Sequence, residues 1–452
     1  MGMCVLYFTY YCIYHTAAVN YDSAMLFTLI SDFSAFKEIY ACMKYVVLLC
    51  EGMADYPIES LGGKTPLEAA HTPCMDFLAQ TAEVGLVKTV DDSLPPGSDV
   101  ANLSVMGYDP TLCYTGRSPI EAAGMGINMS DTDVAMRCNL VTLSDDESFG
   151  EKTMVDYCAG DISTEEAHEL IKALNDRFGS DEFKFYPGVS YRHCLMWHSG
   201  KADIGTLTPP HDISGQKIGE HLNTGKDAEK LLDMCIKSGE VLKNHPVNLN
   251  RMAKGLKPAN SIWLWGQGTK PKIENFYKKN GIHGAVVTAV DLLKGIAKCA
   301  GMSIGKVEGA TGYIDTDFEG KADAALLELE NGADYVYVHV EAPDECGHRG
   351  ELENKIKAIE MIDSRLLKRL LDGLKVYDDY HLLIMPDHPT PISTRTHARD
   401  AVPYLLYRKN MPALGVHRFS EAAAKESGIL ISPGCDILKR LIDKDEDPDN
   451  NN

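Results

Sequence analysis

Lys44–Pro57 reads KYVVLLCEGMADYP. The unbroken apolar run Tyr45–Cys50 has the composition of a strand covered on both faces, as in a parallel sheet with helices above and below. It gives way directly to an acidic loop carrying Glu51 and Asp55. The same alternation continues outward. Thr65–Ala82 has helical spacing around a Thr-Pro break, and Val84–Val87 returns to the sheet. After Gly284 come the strand AVVTA, a helix over Asp291–Cys299, a helix near Lys321–Glu330 and a second doubly buried strand, Asp334–Val340. A long helix over about Glu351–Leu374 leads to HLLIMPDH. Such a pattern predicts an α/β fold built on a parallel sheet with helices on both faces.

Between about Ile127 and Ile282 the order changes. Strand-like Asp133–Leu143 is followed by a capping-box helix at Ser163–Asn175, a strand pair around Tyr191-Arg192, an amphipathic helix near Lys226–Lys243 and the closing segment SIWLWGQG. This predicts an inserted α+β domain at 127–282, interrupting a discontinuous α/β domain made of 43–126 and 283–445. Residues 1–42 differ from the rest. They are rich in aromatics, carry no charge before Asp22, lack the basic segment of a signal peptide, and are too short and polar for a membrane span. Met43 is read as the start of the folded region, and residues 1–42 as an extension without a function. The acidic tail at 446–452 is expected to be solvated and disordered.

With 452 residues the chain has room for two or three domains, and its formal charge of -21 argues against a nucleic-acid partner or an anionic membrane surface. The thirteen cysteines are scattered and odd in number. That excludes a disulfide framework and a zinc knuckle, and it fits a reducing cytoplasm.

The chemistry centres on Leu94–Pro110, LPPGSDVANLSVMGYDP, where a Pro-Pro-Gly turn delivers Ser98 to the start of a helix. Ser98 is expected as the N-cap, where unpaired N–H groups and the positive helix end suit a hydroxyl that must carry a phosphoryl group. Four strand ends finish in metal-type ligands: Glu51 with Asp55 nearby; the D-x-x-x-H of Asp344 and His348, read as a loop; Asp387-His388; and His397, just before another strand. Sites of open α/β sheets form at the carboxyl ends of strands. Carboxylate oxygen with imidazole nitrogen is the donor mix for zinc or manganese rather than calcium, and two such ions could clamp a phosphoryl group.

The segments ESLGGKTPLEAA (59–70), GSDVANLSVMGYDP, GATGYIDT, DECGH and PDHPTP resemble the cofactor-independent phosphoglycerate mutases of the archaeal type, within the alkaline phosphatase superfamily, from Met43 to about residue 445. The resemblance implies an alkaline-phosphatase-like sandwich with Ser98 as nucleophile, passing through a phosphoserine. It implies two divalent ions, manganese or zinc or else magnesium, one among Glu51, Ser98, Asp387 and His388, the other among Asp344, His348 and His397. The insert would close over the substrate with Arg137, Arg192, His211, Asp212 and Asn260, joined by Arg117 and Lys294 of the main domain, His211-Asp212 serving as the acid–base pair.

Two departures from that family stand out. Glu51 occupies a position where aspartate is expected. The loop Asp156–Asp161 holds two acids and no base, and Trp265 stands where a basic side chain is expected. Asp156, Asp161 and Trp265 suit an amino-acid ammonium, as in a bacterial branch of the family proposed to be homoserine kinases. The small-molecule substrate expected is therefore phosphoglycerate, with homoserine as the alternative. No Walker-type segment is present.

Overall fold

The computed structural model describes residues 43–145 and 148–442. The expectations for 1–42 and for the tail at 446–452 lie outside these residues. An eight-stranded sheet runs in the order Leu430–Ile431, Glu83–Val87, Val402–Arg408, Tyr380–Met385, Lys44–Cys50, Tyr335–Val340, Gly284–Val287, Ser303–Gly305. The strand that opens the fold is therefore central, parallel to both neighbours. Its alternate side chains enter two cores. Val46, Leu48 and Cys50 pack with helical residues such as Leu67, Ala325 and Leu370, while Val47 and Leu49 pack on the other face with Leu103, Ile296 and Leu438. Each such fully buried aliphatic side chain stabilises the fold by roughly 1.5–3 kcal/mol.

One strand departs from the expected parallel sheet. Val402–Arg408 pairs antiparallel with both Tyr380–Met385 and Glu83–Val87. Its entrance, preceded by His397, therefore lies at the edge where the parallel strands end. The D-x-x-x-H segment is also not a loop. Ala342–Arg349 is a helix, which brings Asp344 and His348 onto one face at i and i+4. The long helix expected over 351–374 is present as Leu352–Met361 and Lys368–Leu374 joined by a π-helical turn, Ile362–Leu367. Within that turn Asp363 is fully buried and accepts from Cys74 N and Met75 N, at the start of the helix Pro73–Ala79.

The second sheet is antiparallel. Val134–Leu143 pairs with Met154–Asp156, Arg192–Trp197 and Ser261–Thr269, and Phe183–Tyr186 lies outside Arg192–Trp197. Helices Thr164–Phe178 and Glu229–Leu242 cover it through a separate core that includes Leu170, Leu174 and Leu231. The capping box expected at Ser163 is only half formed: Ser163 Oγ accepts from Glu166 N, but the Glu166 carboxylate turns to Arg251 instead. Among the described residues the cysteines are free, and no helix is long and apolar enough to cross a membrane.

Candidate active site

Register brings the ligands together. Cys50 lies opposite Val340, and Leu49 opposite Met385, so Glu51, Glu341 and the segment Pro386-Asp387-His388 leave the sheet at one level. Glu51, Asp387 and His388 are buried and offer donor atoms within 4.8 Å of one another; Asp344, His388 and His397 form a second such group. His388 thus belongs to both groups, whereas the sequence assigned it to one. His348 stands beside the second group, its Nε2 3.1 Å from Asp344 Oδ2 and 3.0 Å from His397 Nε2. Asp55 joins neither group. It forms a buried ion pair with Lys355 at 2.7 Å and accepts from Ile392 N.

Ser98 is not the cap itself. Gly97, extended at φ -168°, holds that position, and Ser98 is the first residue of the helix Ser98–Val105. Its Oγ is directed toward the imidazole–carboxylate cluster rather than back to the helix, lying 3.3 Å from His388 Nε2. One residue that sequence reading missed ties it in place. Asn102 Nδ2 donates to Ser98 O at 2.8 Å and to Asp387 Oδ2 at 2.9 Å, while Tyr337 OH donates to Asn102 Oδ1 at 2.6 Å. The spacing of Asn102, one helical turn after Ser98, was its only signal. Thr390, also missed, bonds Asp344 Oδ1 and lies 3.3 Å from His388 Nδ1. His339, inside an apolar strand, lies 2.5 Å from Glu51 Oε2 through its Nε2.

The electrostatics favour bound cations. Burial, followed by the charge of Asp344, pushes Asp387 up to about 7. Burial together with Asp387 and Asp344 also raises Glu51 well above the carboxylate range, a hydrogen bond from Ser98 acting the other way. Burial lowers His388 to about 3, helped by His397. For His348 burial opposes the charged form, but the hydrogen bond and charge of Asp344 prevail and raise it to about 9. Three buried carboxylates in mutual repulsion, interleaved with imidazole nitrogens, fit divalent ions as the missing positive charge.

Gly52 makes this approach possible. Its φ is 64°, and a Cβ there would lie 2.6 Å from Asp344 Cα and Oδ1. Gly52→Ala is expected to lower stability by about 1–3 kcal/mol and to weaken manganese binding at least tenfold by displacing Asp344. Thermal melts and manganese titration of the metal-stripped chain check both.

Beside the cluster lies a cavity of about 270 Å³, lined by Arg117, Arg137, Arg192, Glu121, Asp291 and Glu341 among others. The three arginines named from sequence therefore converge. Glu121 pairs with Arg117 and Arg137, at 2.8 Å each, and Lys294 pairs with Asp291 at 3.0 Å. Trp265 supports this wall: the Arg137 guanidinium stacks 5.3 Å from its ring, and its Nε1 donates to Asn139 Oδ1. His211 packs edge-on against Trp265 and lies 3.6 Å from Asp212. Burial lowers its basicity, with Arg137 and Arg117 adding to the effect and Asp212 opposing it.

Asn260 is not brought to the cavity. Its amide is held by Leu143 N and O, joining two strands. The Asp156 loop itself holds no base, but Lys257, from outside the loop, pairs with Asp156 at 2.6 Å. The Asp156 carboxylate is further occupied by Cys158 N and Gly160 N, and Asp161 is exposed with φ 48°.

The sheet, its ligand-bearing edge and the arginine-lined cavity define an α/β enzyme with a site able to hold divalent ions. The model of the 2,3-bisphosphoglycerate-independent phosphoglycerate mutase family matches residues 79–248. A Geobacter sulfurreducens protein named "Probable 2,3-bisphosphoglycerate-independent phosphoglycerate mutase" is 51% identical, covering 89% of this chain and 100% of its own. A Methanosarcina barkeri protein, named as such a mutase, is 49% identical over 88% of this chain and 99% of its own. The chain belongs to this family. Among solved structures, a Pyrococcus horikoshii protein superposes with a TM-score of 0.74 at 30% identity, covering 89% of this chain and 97% of that one. The cofactor-independent phosphoglycerate mutase of Thermoplasma acidophilum gives 0.60 at 26% identity, over 89% and 99%.

Proposed function

We propose that the chain interconverts 3-phosphoglycerate and 2-phosphoglycerate by phosphoryl transfer through Ser98. The observation that carries this reading is the Ser98 hydroxyl, held at a helix start 3.3 Å from His388 within the two carboxylate–imidazole groups. Ser98 takes the phosphoryl group, the glycerate reorients in the cavity, and its other hydroxyl takes the group back. Glu51, Asp387 and His388, and Asp344, His348 and His397, would hold manganese or zinc, or magnesium. Such ions, when bound, offset charge on the phosphoryl oxygens and favour the ionised serine. Asn102 orients Ser98, Arg117, Arg137 and Arg192 grip the carboxylate, and His211-Asp212 exchange the hydroxyl proton.

In this reading 43–126 and 283–445 form the phosphoryl-transfer domain and 127–282 the substrate-binding domain. Free thiols among the described residues suit a reducing cytoplasm. The homoserine alternative loses its footing, because Lys257 neutralises Asp156 and Trp265 supports an arginine rather than replacing one. The relatives described above also carry mutase names.

The test uses the full chain loaded with manganese or zinc and followed by phosphorus NMR. Production of 2-phosphoglycerate from 3-phosphoglycerate, abolished by chelation and restored by the metal, is the expected result. O-phosphohomoserine from homoserine and ATP, with no mutase activity, would overturn it.

A further inference from the structure

We propose that Glu341 is a specificity residue that accepts a hydrogen bond from the C2 hydroxyl of 3-phosphoglycerate, so that for this substrate the cavity selects a hydroxyl beside the carboxylate. This rests on the phosphoglycerate reading and assigns a role to an acid that the reaction scheme above leaves unused.

Three acids, Glu121, Asp291 and Glu341, line the cavity together with the arginines. Glu121 is engaged by Arg117 and Arg137, and Asp291 by Lys294. Among the described residues, the Glu341 carboxyl has no such partner within hydrogen-bond or ion-pair distance. Burial, with the charges of Glu345 and Asp344, pushes this carboxyl up to about 8 against the opposing charges of Lys321 and Arg117, whose own hydrogen bonds run to His339 O and Glu121. A half-buried acid left with acceptor capacity beside three arginines is suited to a ligand that brings its own donor.

Position supports the assignment. Glu341 follows the strand Tyr335–Val340, one strand over from Glu51, whose N–H donates to Val340 O at 2.9 Å. It therefore lines the arginine cavity while directly preceding the helix that carries Asp344. The loop opposite is shaped around it. A Cβ on Gly312, within GATGYIDT, would come within 2.0 Å of Glu341 Oε2. That motif is otherwise unexplained by the chemistry, and a bare glycine there leaves the carboxyl its place at the cavity.

Binding rather than turnover tests the proposal. In the manganese-loaded Ser98→Ala chain, calorimetry compares 3-phosphoglycerate with 3-phosphooxypropionate, which lacks only the C2 hydroxyl. The parent should prefer the hydroxyl-bearing ligand at least tenfold. Glu341→Ala should reduce that preference to about twofold or less, with affinity for the deoxy ligand within about threefold of the parent's. The isosteric Glu341→Gln, whose amide oxygen still accepts, should restore part of the preference. Gly312→Ala, which crowds the carboxyl without removing it, should weaken the preference as well. If Glu341→Ala and Glu341→Gln both retain the full preference, the assignment to Glu341 is wrong and the phosphoglycerate reading stands. If the parent binds neither ligand, the phosphoglycerate reading fails and takes this proposal with it.

Discussion

Ser98→Ala is expected to lower interconversion of the phosphoglycerates by at least about 10⁴-fold and to leave the melting temperature within a few degrees of the parent. The two outcomes separate because the serine contributes little to the fold. Gly97 occupies the cap position, and no backbone N–H at the helix start depends on the Ser98 hydroxyl for a cap bond. The bond that anchors this turn runs from Asn102 Nδ2 to the Ser98 carbonyl, which alanine keeps. The lost oxygen is the one that faces His388. A coupled assay on the metal-loaded chain, with a parallel melt, checks both. Appreciable turnover by this variant would mean that the phosphoryl group moves without the serine.

Lys355→Met should have the largest effect on stability, about 3–5 kcal/mol, because it leaves a buried carboxylate uncompensated. The ammonium is fully buried and donates to Asp55 Oδ2 at 2.7 Å, Thr390 O at 2.8 Å and Ala54 O at 3.4 Å. It thereby fastens the loop that follows Glu51 to the loop that follows His388. Burial alone would favour the neutral amine, and the charge of Asp55 opposes that. Urea denaturation of the full chain measures the loss. The double variant Lys355→Met with Asp55→Asn should lose less than Lys355→Met, since the isolated charge is gone. Equal losses would show that packing of the lysine stem, not the ion pair, carries the effect. Manganese affinity should fall in the single variant too, because both loops present metal-type ligands.

The site was legible where ligands directly follow apolar runs. Glu51, Asp387 and His388 could be placed because Tyr45–Cys50 and HLLIM are strands by composition, and register then makes neighbours of their next residues. The D-x-x-x-H segment was misread as a loop because its acids and glycine masked a two-turn helix. Asn102, Thr390 and His339 escaped notice for another reason. Each is a polar residue whose meaning comes from a partner far away in sequence, as with Asn102 and Asp387, 285 residues apart. Local reading also overstated the acidity of the Asp156 loop, since its neutralising Lys257 lies 101 residues downstream. The fold class was recoverable from the pattern of apolar runs, whereas the reversed direction of Val402–Arg408 was not, because a buried strand reads alike in either sense.

The central position of Lys44–Cys50 has a consequence for how the chain is made. Tyr45 lies opposite Tyr335 on one side and His381 on the other, so the middle strand of the sheet is synthesised long before either neighbour exists. At 5–20 residues per second the wait is on the order of tens of seconds. Throughout that interval one of the most apolar segments of the protein has no native partner along either edge, while the inserted antiparallel sheet, whose strands all lie within 134–269, can already close. The central strand therefore stays unpaired through most of synthesis, and the ligand cluster forms only once residues near 400 have left the ribosome.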